Sequence, residues 1–165
     1  MTEATAASTI LTKILVPIDF SPSSHVALKT AAELAERFHA RIHLLHVIPT
    51  FPVTTFPDFI PEANFLDGVR KEAERHFTTY KASLAAKGIK VTSSIEAGND
   101  VAGEILDVIE REHTNLIVIS THGMSGWYPT VFGSIAEKVV KLAPCPILLL
   151  RTPKPASTAK VSAGA

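Results

Sequence analysis

Asn115-Leu-Ile-Val-Ile-Ser120 runs into Thr121-His122-Gly123-Met124-Ser125-Gly126-Trp127-Tyr128-Pro129-Thr130-Val131-Phe132-Gly133-Ser134, and Ile135-Ala136-Glu137-Lys138-Val139-Val140 follows. Leu116 to Ile119 are apolar without alternation, as in a strand covered on both faces of a parallel sheet. The last group has helical spacing. Between them lies a turn of small residues that ends in Gly-Ser at a helix start. Glycine allows close approach, and a helix N-terminus supplies unpaired N–H groups with a partial positive charge, so this segment is suited to phosphate. Three glycines in one turn (Gly123, Gly126 and Gly133) imply that some adopt backbone conformations closed to other residues. Ser134 can act as N-cap, phosphate ligand or both, because a capping hydroxyl and an anion use the same geometry.

Working outward, the same strand-then-helix unit recurs. Lys13-Ile-Leu-Val-Pro-Ile18 is a nearly all-apolar strand, stopped by Asp19-Phe-Ser-Pro. Ser21 is a good N-cap and Pro22 suits the first helical position, with Val26, Ala27, Ala31, Leu34, Ala35 and Phe38 as the stripe. Arg41 to Ile48 reads as a second strand. Pro49 to Pro61, rich in proline and large apolar residues, is an irregular segment, read either as an apolar flap or as a ligand cover. Phe65, Val69, Ala73, Phe77, Tyr80 and Leu84 mark a long helix closed at Gly88. Ile89 to Glu96 is the third strand, Gly98-Asn-Asp100 a turn and cap, and Val101, Ile105, Val108 and Ile109 the next stripe. Ile135, Ala136, Val139, Val140 and Leu142 stripe the last helix, before a final strand from Pro146 to Arg151.

Strict alternation of five strands with four helical connections specifies an α/β fold: a doubly wound five-stranded parallel sheet with helices on both faces. The order expected is 3-2-1-4-5. Strands 1 and 4 are then neighbours at the switch point, where ligands sit beyond the C-terminal strand ends. That placement brings Asp19 beside Ser120 and Gly123. An acidic residue there can hold a ribose hydroxyl or a divalent ion, or can simply cap the turn before Ser21. Pro17 and Val47, at or near the ends of strands 1 and 2, can wall a base pocket or serve as plain core.

Composition narrows the partners. Sixteen basic and sixteen acidic side chains cancel, and hydrophobic residues make up 46% against 19% charged. Neither a nucleic-acid groove nor an anionic membrane surface is favoured by that balance. No apolar run approaches the roughly 20 residues of a membrane span, and the N-terminus lacks signal-peptide character. A single cysteine, Cys145, fits a reducing compartment, so a cytoplasmic location is expected. Residues 1–11 read as a disordered N-terminus, 12–152 as one domain and 153–165 as a disordered tail.

Several chemistries are disfavoured. There is no Gly-Lys-Ser/Thr phosphate loop, no compact Gly-x-Gly-x-x-Gly, and no Gly-x-Ser-x-Gly elbow. No lysine or arginine lies between Ser120 and Ser134, so phosphate would rest on backbone N–H groups, with or without a metal. His43 and His46 are three apart on a strand and point to opposite faces, which excludes a shared ion. His122 contacts either phosphate or its own loop. Cys145 lacks a base partner and reads as packing. A phosphoreceiver domain would need an acidic pair, a strand-3 aspartate and a strand-5 lysine, where this chain has Asp19, Glu96 and Arg151.

Ile14-Leu-Val-Pro-Ile-Asp19 with Ser21 and Ser24, Thr121-His122-Gly123, nine residues, Gly133-Ser134-Ile-Ala-Glu-Lys138, and Ala143-Pro-Cys-Pro146 together resemble the universal stress protein family over about Lys13 to Arg151. The ATP-binding pattern of that family is Gly, two residues, Gly, nine residues, Gly-Ser/Thr. Here Ser120 stands at the first glycine and Met124 where the family often has Arg or Lys. The resemblance implies a Rossmann-like, adenine nucleotide alpha hydrolase-like fold that binds ATP, with or without Mg or Mn. It implies that Pro17, Asp19 and Val47 line the adenine and ribose pocket. Ser120, Thr121, His122, Gly123, Met124, Ser125 and Gly126, with Gly133, Ser134, Ile135 and Ala136, would wrap the phosphates, and Asp19 would be the one side chain near a metal. It further implies a homodimer through the last strand and a role as a nucleotide-responsive stress regulator. Slow metal-dependent ATP hydrolysis, or a member that works through dimer contacts alone, stand as alternatives.

Overall fold

The computed structural model describes residues 11–50, 65–121 and 133–151. Five strands, β1 (Lys13–Pro17), β2 (Arg41–Pro49), β3 (Val91–Gly98), β4 (Leu116–Ser120) and β5 (Ile147–Leu150), alternate with α1 (Pro22–Phe38), α2 (Phe65–Ala85), α3 (Val101–Arg111) and α4 (Ser134–Leu142). All strand pairs are parallel and the order is β3-β2-β1-β4-β5, as expected from the alternation.

Period-two alternation divides the core into two layers. Ile14, Val16, Ile42, Leu44 and Val118 pack with Ala27, Ala31, Phe77 and Leu84 from α1 and α2. Leu15, Leu45, Val47, Ile117 and Ile119 pack with Ile105, Val108, Ala136 and Val139 from α3 and α4. The apolar strands are therefore consumed on both faces, and each fully buried Leu or Ile contributes about 1.5–3 kcal/mol.

Local signals set the helix starts. Ser21 caps α1 by accepting from the Ser24 N–H at 3.2 Å, with Pro22 next. Asp100 caps α3 by accepting from the Gly103 N–H at 3.1 Å. Gly88, at φ 76°, closes the turn after α2. The helix faces differ in detail from the expected stripes. On α1 the buried face is Ser24, Ala27, Leu28, Ala31, Ala32 and Ala35, while Val26 and Phe38 are exposed. On α4 only Ala136 and Val139 are buried, and Ile135, Val140 and Leu142 lie exposed. A nine-residue helix against the outer part of a sheet has room for one narrow contact row. The third strand begins at Val91 rather than Ile89 and extends to Gly98, because its ladder with β2 runs as far as Pro49 opposite Gly98. The last strand is shorter than Pro146 to Arg151.

The expected termini (residues 1–10 and 153–165), residues 51–61 of the proline-rich segment, and His122 to Gly126 fall outside the described residues. Among the described residues no helix is long and apolar enough to cross a membrane.

Candidate functional site at the switch point

Strands β1 and β4 pair only at Ile14 with Leu116 and Leu15 with Ile117. Their outer neighbours continue: β1 stays with β2 to Pro17 opposite Leu45, and β4 with β5 to Ser120 opposite Leu150. The sheet thus parts between its two central strands in their C-terminal halves. Pro17 contributes to this, since it has no N–H for a ladder. A crevice at the point of strand-order reversal is where an open α/β sheet takes its ligand.

One wall is the β1–α1 turn. Asp19 Oδ1 accepts from the Ser21 N–H at 3.0 Å and from the Ser21 hydroxyl at 2.5 Å. The capping role weighed for Asp19 is therefore realised, and the turn it stabilises lies at the crevice mouth. Phe20 follows with φ 63°, a left-handed conformation rare for a bulky residue. His46 Nδ1–H donates to the Ile18 carbonyl at 2.7 Å, fastening the end of β1 to β2. On the far side, His25 Nδ1–H donates to the Ser21 carbonyl at 3.1 Å, and Tyr80 Oη donates to His25 Nε2 at 2.5 Å. Burial pushes the Tyr80 hydroxyl pKa up, which keeps it a donor. Val47, at 9% exposure, packs in the α3–α4 layer near the end of β2.

The opposite wall is built from backbone. Thr121, buried, donates its N–H to the Leu150 carbonyl at 2.9 Å and accepts from the Gly133 N–H at 3.0 Å. These bonds draw the start of α4 to the end of β4. Gly133 has φ −59°, an ordinary value, so this glycine is required for space and not for conformation. A Cβ there would lie 3.2 Å from the Thr121 carbonyl oxygen. Gly133 itself occupies the N-cap position and no side chain caps the helix, so Ser134 sits one residue inside and is not the cap. The first N–H groups of an α-helix have no intrahelical acceptor, which leaves those of Ser134, Ile135 and Ala136 directed out of the helix end. Lys138 reaches Asp100, the cap of α3, and its hydrogen bond holds that carboxyl below the usual carboxylate range.

Sequence reasoning assigned Pro17, which ends β1, Asp19 in the β1–α1 turn, Val47 near the end of β2, Ser120 and Thr121 at the end of β4, and Gly133 to Ala136 at the start of α4. It missed Phe20, His25, His46 and Tyr80, which brace the first wall. No local pattern signals them, because their partners are distant in the chain. Elsewhere the chemistry is structural. Buried His43 lies between Thr92 Oγ1 at 2.8 Å and Ser94 Oγ at 3.1 Å, and burial lowers its pKa against the pull of Glu112. Burial also raises the Cys145 thiol, away from nucleophile chemistry. Among the described residues no three His, Cys, Asp or Glu side chains converge on a point that could hold a metal.

Comparison with known proteins finds relatives of this architecture. The family model described as the universal stress protein family matches residues 11–151. Universal stress protein YxiE of Bacillus subtilis is 34% identical over 147 residues, which are 84% of this chain and 98% of that protein. The solved structure of hypothetical protein MJ0577 superposes with a TM-score of 0.77 at 27% identity, over 88% of this chain and 99% of the other. A universal stress protein from Archaeoglobus fulgidus, solved in complex with dAMP, shares the fold with a TM-score of 0.60 at 19% identity, over 85% and 98% of the two chains.

Proposed function

The chain belongs to the universal stress protein family, and on that premise we propose that it is an ATP-binding regulator of stress survival. The observation that carries this reading is the parting of β1 and β4 between a fastened acidic turn and an uncapped helix start. Pro17, Asp19 and Val47 hold the adenine and ribose. Residues 120 to 126 and 133 to 136 wrap the phosphates, with the N–H groups of Ser134, Ile135 and Ala136 as backbone donors. The dAMP complex of the A. fulgidus relative supports an adenine nucleotide as the ligand class. Mg²⁺ or Mn²⁺, where present, travels with the phosphates, with Asp19 as its nearest carboxylate.

The protein also acts as a homodimer through antiparallel pairing of β5. Support comes from its edge position, and from the exposed Val140 and Leu142 on the helix just before it. An exposed edge invites a partner strand.

Calorimetry and acid extraction of freshly purified protein test the ligand. Adenine nucleotide in the extract is expected. ATP at a hundredfold excess over Kd should add about 2.7 kcal/mol and raise Tm by roughly 5–10 °C. An extract without nucleotide, together with an unmoved Tm, overturns the reading. Light scattering should give about twice the chain mass of 17.7 kDa, and a monomer at micromolar concentration removes the dimer.

A further inference from the structure

We propose that Phe20 is a positioning residue for the ligand contact of Asp19. Its ring, seated on His46, His76, Phe77 and Tyr80, holds the β1–α1 turn in the conformation that presents the Asp19 carboxylate at the crevice. The inference rests on the nucleotide-binding reading above and assigns a part of its geometry to residues that need not touch the ligand.

Three non-glycine residues among those described have positive φ: Phe20, His39 and His113. His39 and His113 lie at the C-terminal ends of α1 and α3, where a left-handed residue commonly closes the helix. Phe20 lies between a strand and an N-cap, where no such closure is needed. The conformation disfavours a bulky side chain, so it persists only where the surroundings impose it. Those surroundings are aromatic. The Phe20 ring stacks on His76 with centroids 4.7 Å apart, and lies 4.6 Å from His46, 5.9 Å from Phe77 and 6.4 Å from Tyr80.

The same side chains pin the chain on both sides of the acidic residue. His46 holds the Ile18 carbonyl, while Tyr80, through His25, holds the Ser21 carbonyl. Ser21 in turn donates twice to Asp19 Oδ1. Residues 18, 20 and 21 are thus each anchored by a side chain from β2, α1 or α2, and Asp19 is placed between them. Three of the anchors, His76, Phe77 and Tyr80, come from one face of α2.

A thermodynamic cycle separates positioning from plain stability. ATP binding is measured by calorimetry on folded wild type, Asp19→Asn, Phe20→Ala and the double variant. Phe20→Ala is expected to weaken ATP about tenfold alone and less than about twofold beside Asp19→Asn, because contacting groups that act through one another are not additive. An equal loss in both backgrounds overturns the proposal. Phe20→Gly tolerates the same φ without the ring and should bind as weakly as Phe20→Ala; wild-type affinity in that variant also overturns it. Where Phe20→Ala gives no folded protein, Tyr80→Phe carries the cycle. It removes one hydroxyl and should cost about threefold in ATP affinity, but only while Asp19 is intact. A wild-type chain that binds no ATP removes both the nucleotide reading and this inference. Binding by wild type with additive variants removes this inference alone.

Discussion

The two walls of the crevice are made in opposite ways. The β1–α1 wall is fastened by side chains: Asp19 to Ser21, His46 to Ile18, Tyr80 through His25 to Ser21, and Phe20 in its aromatic seat. The β4–α4 wall is fastened by main chain, with Thr121 bonded to Leu150 and Gly133 and no side chain capping the helix. Side-chain fastening orients one carboxylate and holds a strained Phe20 at a cost of about 1–3 kcal/mol. Backbone fastening leaves N–H groups available in a row and suits an anion of any shape. On the nucleotide-binding reading proposed above, selectivity for base and sugar falls to the first wall, and charge accommodation to the second.

The same substitution at the two helix starts tests the contrast most severely. Ser21→Ala removes an N-cap and a part-buried bond to Asp19, and should cost about 2 kcal/mol, or roughly 4–8 °C in Tm. A loss as small as that at Ser134 would mean the first wall is not side-chain built. Gly133→Ala comes next. Its Cβ would crowd the Thr121 carbonyl at 3.2 Å, and thermal unfolding should show a loss of about 1 kcal/mol together with weaker ATP binding. Unchanged values would show that the two segments can separate freely.

Acid reaches the scaffold behind the first wall through β2. His43 takes up a proton less readily folded than unfolded, because it is buried. Its contribution is therefore fully present above pH 6.5, the unfolded value, and is lost as pH falls below it. Denaturant midpoints measured near neutral pH and at about pH 5.5 should fall with acid, and His43→Gln should flatten that slope. The smallest effect is expected at Ser134→Ala. Its hydroxyl caps nothing, so stability should change by less than about 0.5 kcal/mol, while any loss in ATP affinity reports a phosphate contact.

Much of the fold was legible because its signals are local. Apolar runs such as Leu116 to Ser120, the Ser21-Pro22 start, the Asp100 cap and Gly88 each act within a few residues. The alternation of elements then limits the topology to few choices. The braces of the crevice were not legible, since His25 and Tyr80 meet across two helices and His46 finds a carbonyl just past the end of β1. The reason for Gly133 was not legible for a related cause. A glycine demanded by φ and one demanded by space look identical in sequence, and only the approach of Thr121 distinguishes them.

By itself the sequence determined an α/β sheet of known order, a crevice between strands 1 and 4, and the family. Hydrophobic period, capping chemistry and motif spacing are properties of short segments that survive without knowledge of their partners. The tertiary structure alone decided that Asp19 bonds to its own turn, that α2 braces it through Phe20 and Tyr80, and that the facing wall is main chain. These are contacts between groups far apart in sequence, and their energies exist only once packing has brought the groups within a few ångströms.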